Sequence, residues 1–125
     1  MKALPANLLW MSDGSLWNYR RKRTVRERYA MHTTHIHNTL DVRACLRAGK
    51  STSLGGYALA FVMADGDTLC FDCVRNDYRE VSEALRSQFR YPSNGWRPLA
   101  LAVECDSDSE CICGQCNKVI WEAKE

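Results

Sequence analysis

Asp65-Gly66-Asp67-Thr68-Leu69-Cys70-Phe71-Asp72-Cys73-Val74 carries in succession a turn, a strand, a pair of cysteines and the start of a helix. Asp-Gly is a tight hairpin signal, and Thr68–Asp72 reads as the strand returning from it. The strand before the turn, Tyr57 to Met63, is apolar at every position, which predicts a central place in a sheet. After Cys73, the residues Val74, Tyr78, Val81, Leu85 and Phe89 recur at helical spacing, with Arg75, Arg79, Glu80, Glu83 and Arg86 facing out. The pattern predicts an amphipathic helix of about four turns, ended by Tyr91-Pro92-Ser93-Asn94-Gly95. Leu99–Val103 and Val119-Ile120-Trp121 follow as strands. On the N-terminal side, Thr39 reads as an N-cap, and Leu40, Val42, Cys45 and Leu46 form an apolar stripe. Gly49 is the stop, so Thr39–Ala48 is a short helix. Val25 to Met31 is a further strand candidate. The fold expected is α+β: one antiparallel sheet of four to five strands, two helices packed on it, and a core holding Trp96, Phe61, Phe71, Leu85 and Val81. All 125 residues fit one domain, with a basic N-terminal segment (1–38) and an α+β body (39–125).

Cys70-Phe-Asp-Cys73 has a counterpart in Cys113-Gly-Gln-Cys116. A Cys-x-x-Cys bends so that both sulfurs converge, and two of them supply the closed tetrahedral shell that structural Zn²⁺ prefers. Such a shell leaves no position for water or substrate. Gly114 permits a sharp turn in the second pair, and Asn117 can take the left-handed conformation. Cys70, Cys73, Cys113 and Cys116 are therefore the expected ligands of a structural zinc that ties the C-terminal segment to the middle of the chain. Two other readings stand beside this one. A local site could form from Cys105, Cys111, Cys113 and Cys116, or all the cysteines could be buried small hydrophobes. A redox role for Cys113-Gly-Gln-Cys116 is disfavoured, because that chemistry wants the motif opening a helix after a strand.

Seven cysteines, an odd number, fit metal ligands and buried thiols better than a disulfide framework. Pro5 and Asn7 interrupt the apolar start and no small-residue cleavage site follows, so a signal peptide is not expected. No apolar run reaches the length of a membrane span. Together these point to a reducing, cytoplasmic setting. Net charge is +2, but residues 1–50 carry +7 and residues 51–125 carry −5. The difference comes largely from Arg20, Arg21, Lys22, Arg23, Arg26 and Arg28, flanked by Trp17, Tyr19 and Tyr29. This basic and aromatic mixture suits nucleic acid, and it suits a solvated face equally well. His32, His35 and His37 lie close in sequence without a carboxylate at ligand spacing, which favours hydrogen-bonded or exposed histidines over a second metal site. Phosphate-binding glycine loops, Gly-x-Ser-x-Gly and His-Glu-x-x-His are all missing from the sequence, so no enzyme is expected.

From Leu46-Arg47-Ala48-Gly49 and Gly55-Gly56-Tyr57, through Asp65–Val74 and Gly95-Trp96-Arg97-Pro98, to the Cys113–Cys116 knuckle with Lys118 and Ile120, the chain resembles small uncharacterised proteins encoded by phages and mobile elements of bacteria. The resemblance implies a zinc-ribbon-like element on a small α+β body, with no established activity. The chain departs from that pattern at Asn117, where glycine is more usual, and in its extra Cys105 and Cys111. The function expected is that of a non-enzymatic, zinc-stabilised interaction protein. It would bind a host protein or other host macromolecule in the bacterial cytoplasm and could inhibit a host defence system. The alternative is a nucleic-acid-binding accessory factor using Arg20–Arg28.

Overall fold

The computed structural model of the chain describes residues 8–10, 15–26, 30–52, 55–106 and 108–123. Along them run β1 (Leu8–Trp10), β2 (Leu16–Asn18), β3 (Arg23–Arg26), α1 (Thr39–Ala48), β4 (Leu59–Met63) and β5 (Thr68–Leu69). Then follow α2 (Phe71–Asn76), α3 (Tyr78–Arg86), β6 (Pro98–Val103), a 3₁₀ turn (Glu104–Asp106), β7 (Cys111–Ile112) and β8 (Val119–Trp121). The α+β class holds, but the single sheet and the two helices do not. The described residues form three antiparallel sheets, β1-β2-β3, β5-β4-β6 and β7-β8, together with three α-helices.

The middle sheet organises the body. As its uniformly apolar sequence predicts, β4 is central, with β5 returning from the Asp65-Gly66 turn on one side and β6 on the other. Gly66 has φ +91, which an L side chain rarely adopts, and Asp65 Oδ1 accepts the N–H of Asp67 to fix the turn. Side chains on β4 alternate between two buried faces. Leu59, Phe61 and Met63 join Val42, Phe71, Val74, Val81 and Leu85 in the main core, where the Phe61 and Phe71 rings lie 4.5 Å apart. The other face is flattened by Ala58, Ala60 and Ala102, and on it sit Cys111, Ile120 and Trp121 from the C-terminal hairpin. Trp121 Nε1 donates to the carbonyl of Ser109 at 2.9 Å, so its polar edge is satisfied while the ring is buried. Trp96 is only half-buried and packs against the core from its margin.

The segment before α1 adds to the edge of β6 through a bridge between His35 and Ala100. α1 spans the Thr39–Ala48 expected from the sequence, but Asn38 rather than Thr39 is its N-cap. Asn38 Oδ1 accepts the N–H of Asp41, and Asp41 Oδ2 reaches back to the N–H of His37. Gly49, with φ +104, ends the helix. The long helix expected after Cys73 is divided at Asp77 (φ −106, ψ 28), a residue type favoured at helix ends over interiors. Its last expected turn is lost as well. Arg90 N–H and Tyr91 N–H both turn back to the carbonyl of Ser87, and Phe89 leaves the apolar stripe to stand 96% exposed.

β3 meets the strand expected over Val25–Met31 only at Val25 and Arg26; Ala30 and Met31 are not in a strand, and residues 27–29 lie outside the described part. β3 pairs with β2 across a turn at Tyr19–Lys22. There the Asn18 side chain accepts the N–H groups of Arg20 and Arg21, and Lys22 has φ +53.

Candidate metal centre

Two short backbone devices bring four cysteines together. Cys70 follows β5 and is the N-cap of α2, its Sγ accepting the N–H of Cys73 at 3.4 Å. Cys73 lies in the first turn of that helix. The second pair occupies the turn between β7 and β8. Cys113 N–H donates to the carbonyl of Lys118 and Asn117 N–H to the carbonyl of Cys113, both at 2.9 Å. Asn117, at φ +61, supplies the left-handed residue that closes the turn, as its sequence position suggests.

The knuckle is docked onto β5 by its own backbone. Gly114 N–H donates to the carbonyl of Thr68 at 2.8 Å, and Thr68 Oγ1 donates to that of Ile112 at 3.2 Å. A Cβ on Gly114 would stand 2.5 Å from Asp67 Oδ2, so a larger residue there would push the exposed Asp67 carboxylate aside. Finally, Cys70 N–H points at Cys113 Sγ, 3.4 Å away.

The sulfurs of Cys70 and Cys116 are 3.8 Å apart and those of Cys73 and Cys113 3.6 Å. All four lie within 4.8 Å of one another. Cys70, Cys73 and Cys113 are buried and Cys116 faces solvent. No disulfide joins any of the seven cysteines. Burial pushes the Cys70 and Cys73 thiols up. Burial also acts against the Cys113 thiolate, but backbone N–H groups of Cys116, Cys70 and Gln115 converge on its sulfur and bring it down to about 6. Four sulfurs at this spacing can hold a metal ion, and one of them favours the thiolate before any ion binds.

A charged pair braces the two halves of the site. Lys118 Nζ lies 3.1 Å from Asp72 Oδ2, with Lys50 Nζ at 3.9 Å from the same oxygen. Lys118 holds the Asp72 carboxyl below the usual carboxylate range, and Asp72 in turn raises Lys118. The sequence reading missed this link. Its signal was an acid inside the first Cys-x-x-Cys and a lysine two residues after the second.

The rival local set is not assembled. Cys105 is exposed on the 3₁₀ turn, and Cys111 Sγ contacts Thr68 Oγ1 at 3.4 Å from beneath the sheet. Cys45 is buried in α1. Nor do the histidines converge. His32 Nε2 is 2.6 Å from the carbonyl of Gly49, and His35 and His37 are exposed. Among the described residues the four-cysteine group is the one cluster of this kind.

The basic residues Arg20, Arg21, Lys22 and Arg23 are exposed at and beside the β2–β3 turn. Arg26 lies on β3, and Arg28 and Tyr29 fall outside the described residues. Among the described residues no helix is long and apolar enough to cross a membrane. Comparison of the chain with protein-family models, curated proteins and solved structures finds no match.

Proposed function

We propose that this chain is a non-enzymatic interaction protein whose fold is held together by a structural zinc ion on Cys70, Cys73, Cys113 and Cys116. One observation carries the reading. A tetrahedron with Zn–S bonds of about 2.3 Å has sulfur–sulfur edges of about 3.8 Å, and the two short edges here are 3.8 and 3.6 Å. An all-thiolate tetrahedral shell suits zinc or iron among common metals. When bound, the ion would supply cross-linking and no chemistry of its own, because four sulfurs fill its coordination.

The resemblance to small phage and mobile-element proteins makes a macromolecule of a bacterial host the partner, in its reducing cytoplasm. Inhibition of a host defence system is the consequence that would fit. Elemental analysis of the purified protein should find one equivalent of zinc per chain. A substoichiometric metal content, or iron with its thiolate charge-transfer colour, would overturn the zinc assignment.

A second reading has its own support. Four cationic side chains, Arg20, Arg21, Lys22 and Arg23, crowd one hairpin turn and all are exposed. That arrangement suits the phosphates of a nucleic acid, bound by an accessory or regulatory factor.

A further inference from the structure

Phe89 stands 96% exposed, and Tyr91, two residues on, is 55% exposed. An exposed phenylalanine forgoes the gain of burying its ring, yet the loop carrying it is hydrogen-bonded along its backbone. Arg90 N–H and Tyr91 N–H donate to the carbonyl of Ser87 at 3.0 and 2.8 Å, and Ser87 Oγ donates to that of Glu83 at 2.8 Å. The Gln88 side chain donates to the carbonyl of His37 at 3.2 Å, and Arg97 donates to that of Pro92 at 2.7 Å. The backbone on either side of Phe89 is thus hydrogen-bonded while its ring stands in solvent.

The charged residues of its own stretch of chain are arginines, with the exposed Glu83 one turn back on α3 and Asp41 on the same His37 that Gln88 binds. Residues 84–103 contain Arg86, Arg90 and Arg97 and no Asp or Glu, the adjoining acid being Glu83 on α3. Arg86 and Arg90 are exposed, and the Arg90 guanidinium lies over the Tyr91 ring at 5.6 Å. Exposed aromatic faces interleaved with arginines are what flexible, unpaired bases and their phosphates require. A duplex would have to be unstacked and kinked before its bases met the phenyl ring, whereas unpaired bases present their faces at no such cost.

We infer that the Phe89–Tyr91 loop is a docking surface for single-stranded nucleic acid. One base stacks on Phe89, the next on the Tyr91–Arg90 pair, and the phosphates lie against Arg86 and Arg90. The inference rests on the reading of the chain as a binding protein, and it names both the surface and the class of partner. It uses residues separate from the β2–β3 turn.

The test is fluorescence anisotropy of labelled oligothymidylate and oligouridylate with the full chain, across a salt series. Wild type should bind, and binding should weaken with salt. Phe89→Ala should weaken it at least about fivefold. Arg90→Gln should lower the salt slope by about 0.7. Tyr57→Ala, at an exposed tyrosine just before β4, should bind as wild type.

Three results would overturn the inference. One is the lack of salt-sensitive binding by wild type. Another is binding lost on Arg20→Glu and Arg21→Glu but unchanged by Phe89→Ala, which would move the interface to the β2–β3 turn. The third is a wild-type dimer in light scattering that Phe89→Ala converts to a monomer without affecting the oligonucleotide. Zinc content and melting temperature of the same samples keep this outcome separate from the metal assignment, since Phe89 buries almost nothing.

Discussion

Cys113 shows how single residues prepare the site. Burial alone would keep its thiol protonated, but three backbone N–H groups aimed at the sulfur lower it to about 6. Cys73 and Cys70 are shifted the other way, so an arriving cation would meet the Cys113 thiolate and displace protons from those two. In the proposed site the four cysteines would share one shell, and losing any one would leave it incomplete. Serine at position 70, 73, 113 or 116 should therefore reduce bound zinc to well under one equivalent and lower solubility with it. Cys105→Ser should keep full zinc, because that side chain is exposed on the 3₁₀ turn. Cys111→Ser should also keep it, at a stability cost of about 1–3 kcal/mol for a hydroxyl at a buried position, eased by Thr68 Oγ1 nearby. Metal analysis of Cys70→Ser beside Cys111→Ser decides the matter: full zinc in the first and none in the second would sink the paired site.

At the scale of elements, what could be read from the sequence was what neighbouring residues encode. The Asp65-Gly66 hairpin, the helix closed by Gly49, the central β4 and the left-handed Asn117 each follow from a turn residue, a cap or a short periodicity. The convergence of the two Cys-x-x-Cys pairs was legible because their chemistry, and not their local conformation, demands a common partner. What escaped was set at a distance or by a single break. β7 is two residues long and shows no pattern, so its pairing with β8 as a separate sheet has no local signal. The division at Asp77 and the early end of α3 turned a plausible stripe residue, Phe89, into a surface one. The alanine face of β4 and β6 reads as bland in sequence, and only Trp121 gives it a purpose. Trp121 seats the hairpin that carries Cys113 and Cys116, and its indole N–H is satisfied by Ser109. Trp121→Ala should cost about 3–5 kcal/mol and weaken zinc retention against a chelator, although no ligand is changed. A Trp121→Phe variant, which keeps most of the apolar seat, should recover most of both. Unchanged chelator resistance in Trp121→Ala would mean the hairpin is positioned by the metal alone.

Across the whole molecule, the cysteine cluster joins parts that the chain otherwise holds by modest contacts. The main core of β4, β6 and the three helices is built from residues 36–103 together with Cys113 and the flanking Ile120. The C-terminal hairpin reaches that body through the alanine face, three hydrogen bonds around Thr68, the Asp72–Lys118 pair and the four sulfurs. An exposed ion pair contributes under about 1 kcal/mol, so an ion bound by the four sulfurs would be the strongest single link. Structural zinc in small fingers is worth about 10–16 kcal/mol apparent because the apo peptide has no fold to fall back on. Here the body has its own apolar core, and metal removal should act unevenly. Hydrogen exchange of the chelated protein should show residues 111–121 and the N-terminal turn of α2 losing protection first. Amides of β4 and α3 should stay protected until global unfolding at a lowered melting temperature. Re-addition of zinc should restore the hairpin and the melting temperature together. If the fully demetallated protein keeps its native circular dichroism, melting temperature and hairpin protection, the cysteines are buried thiols and the structural role of the metal is wrong.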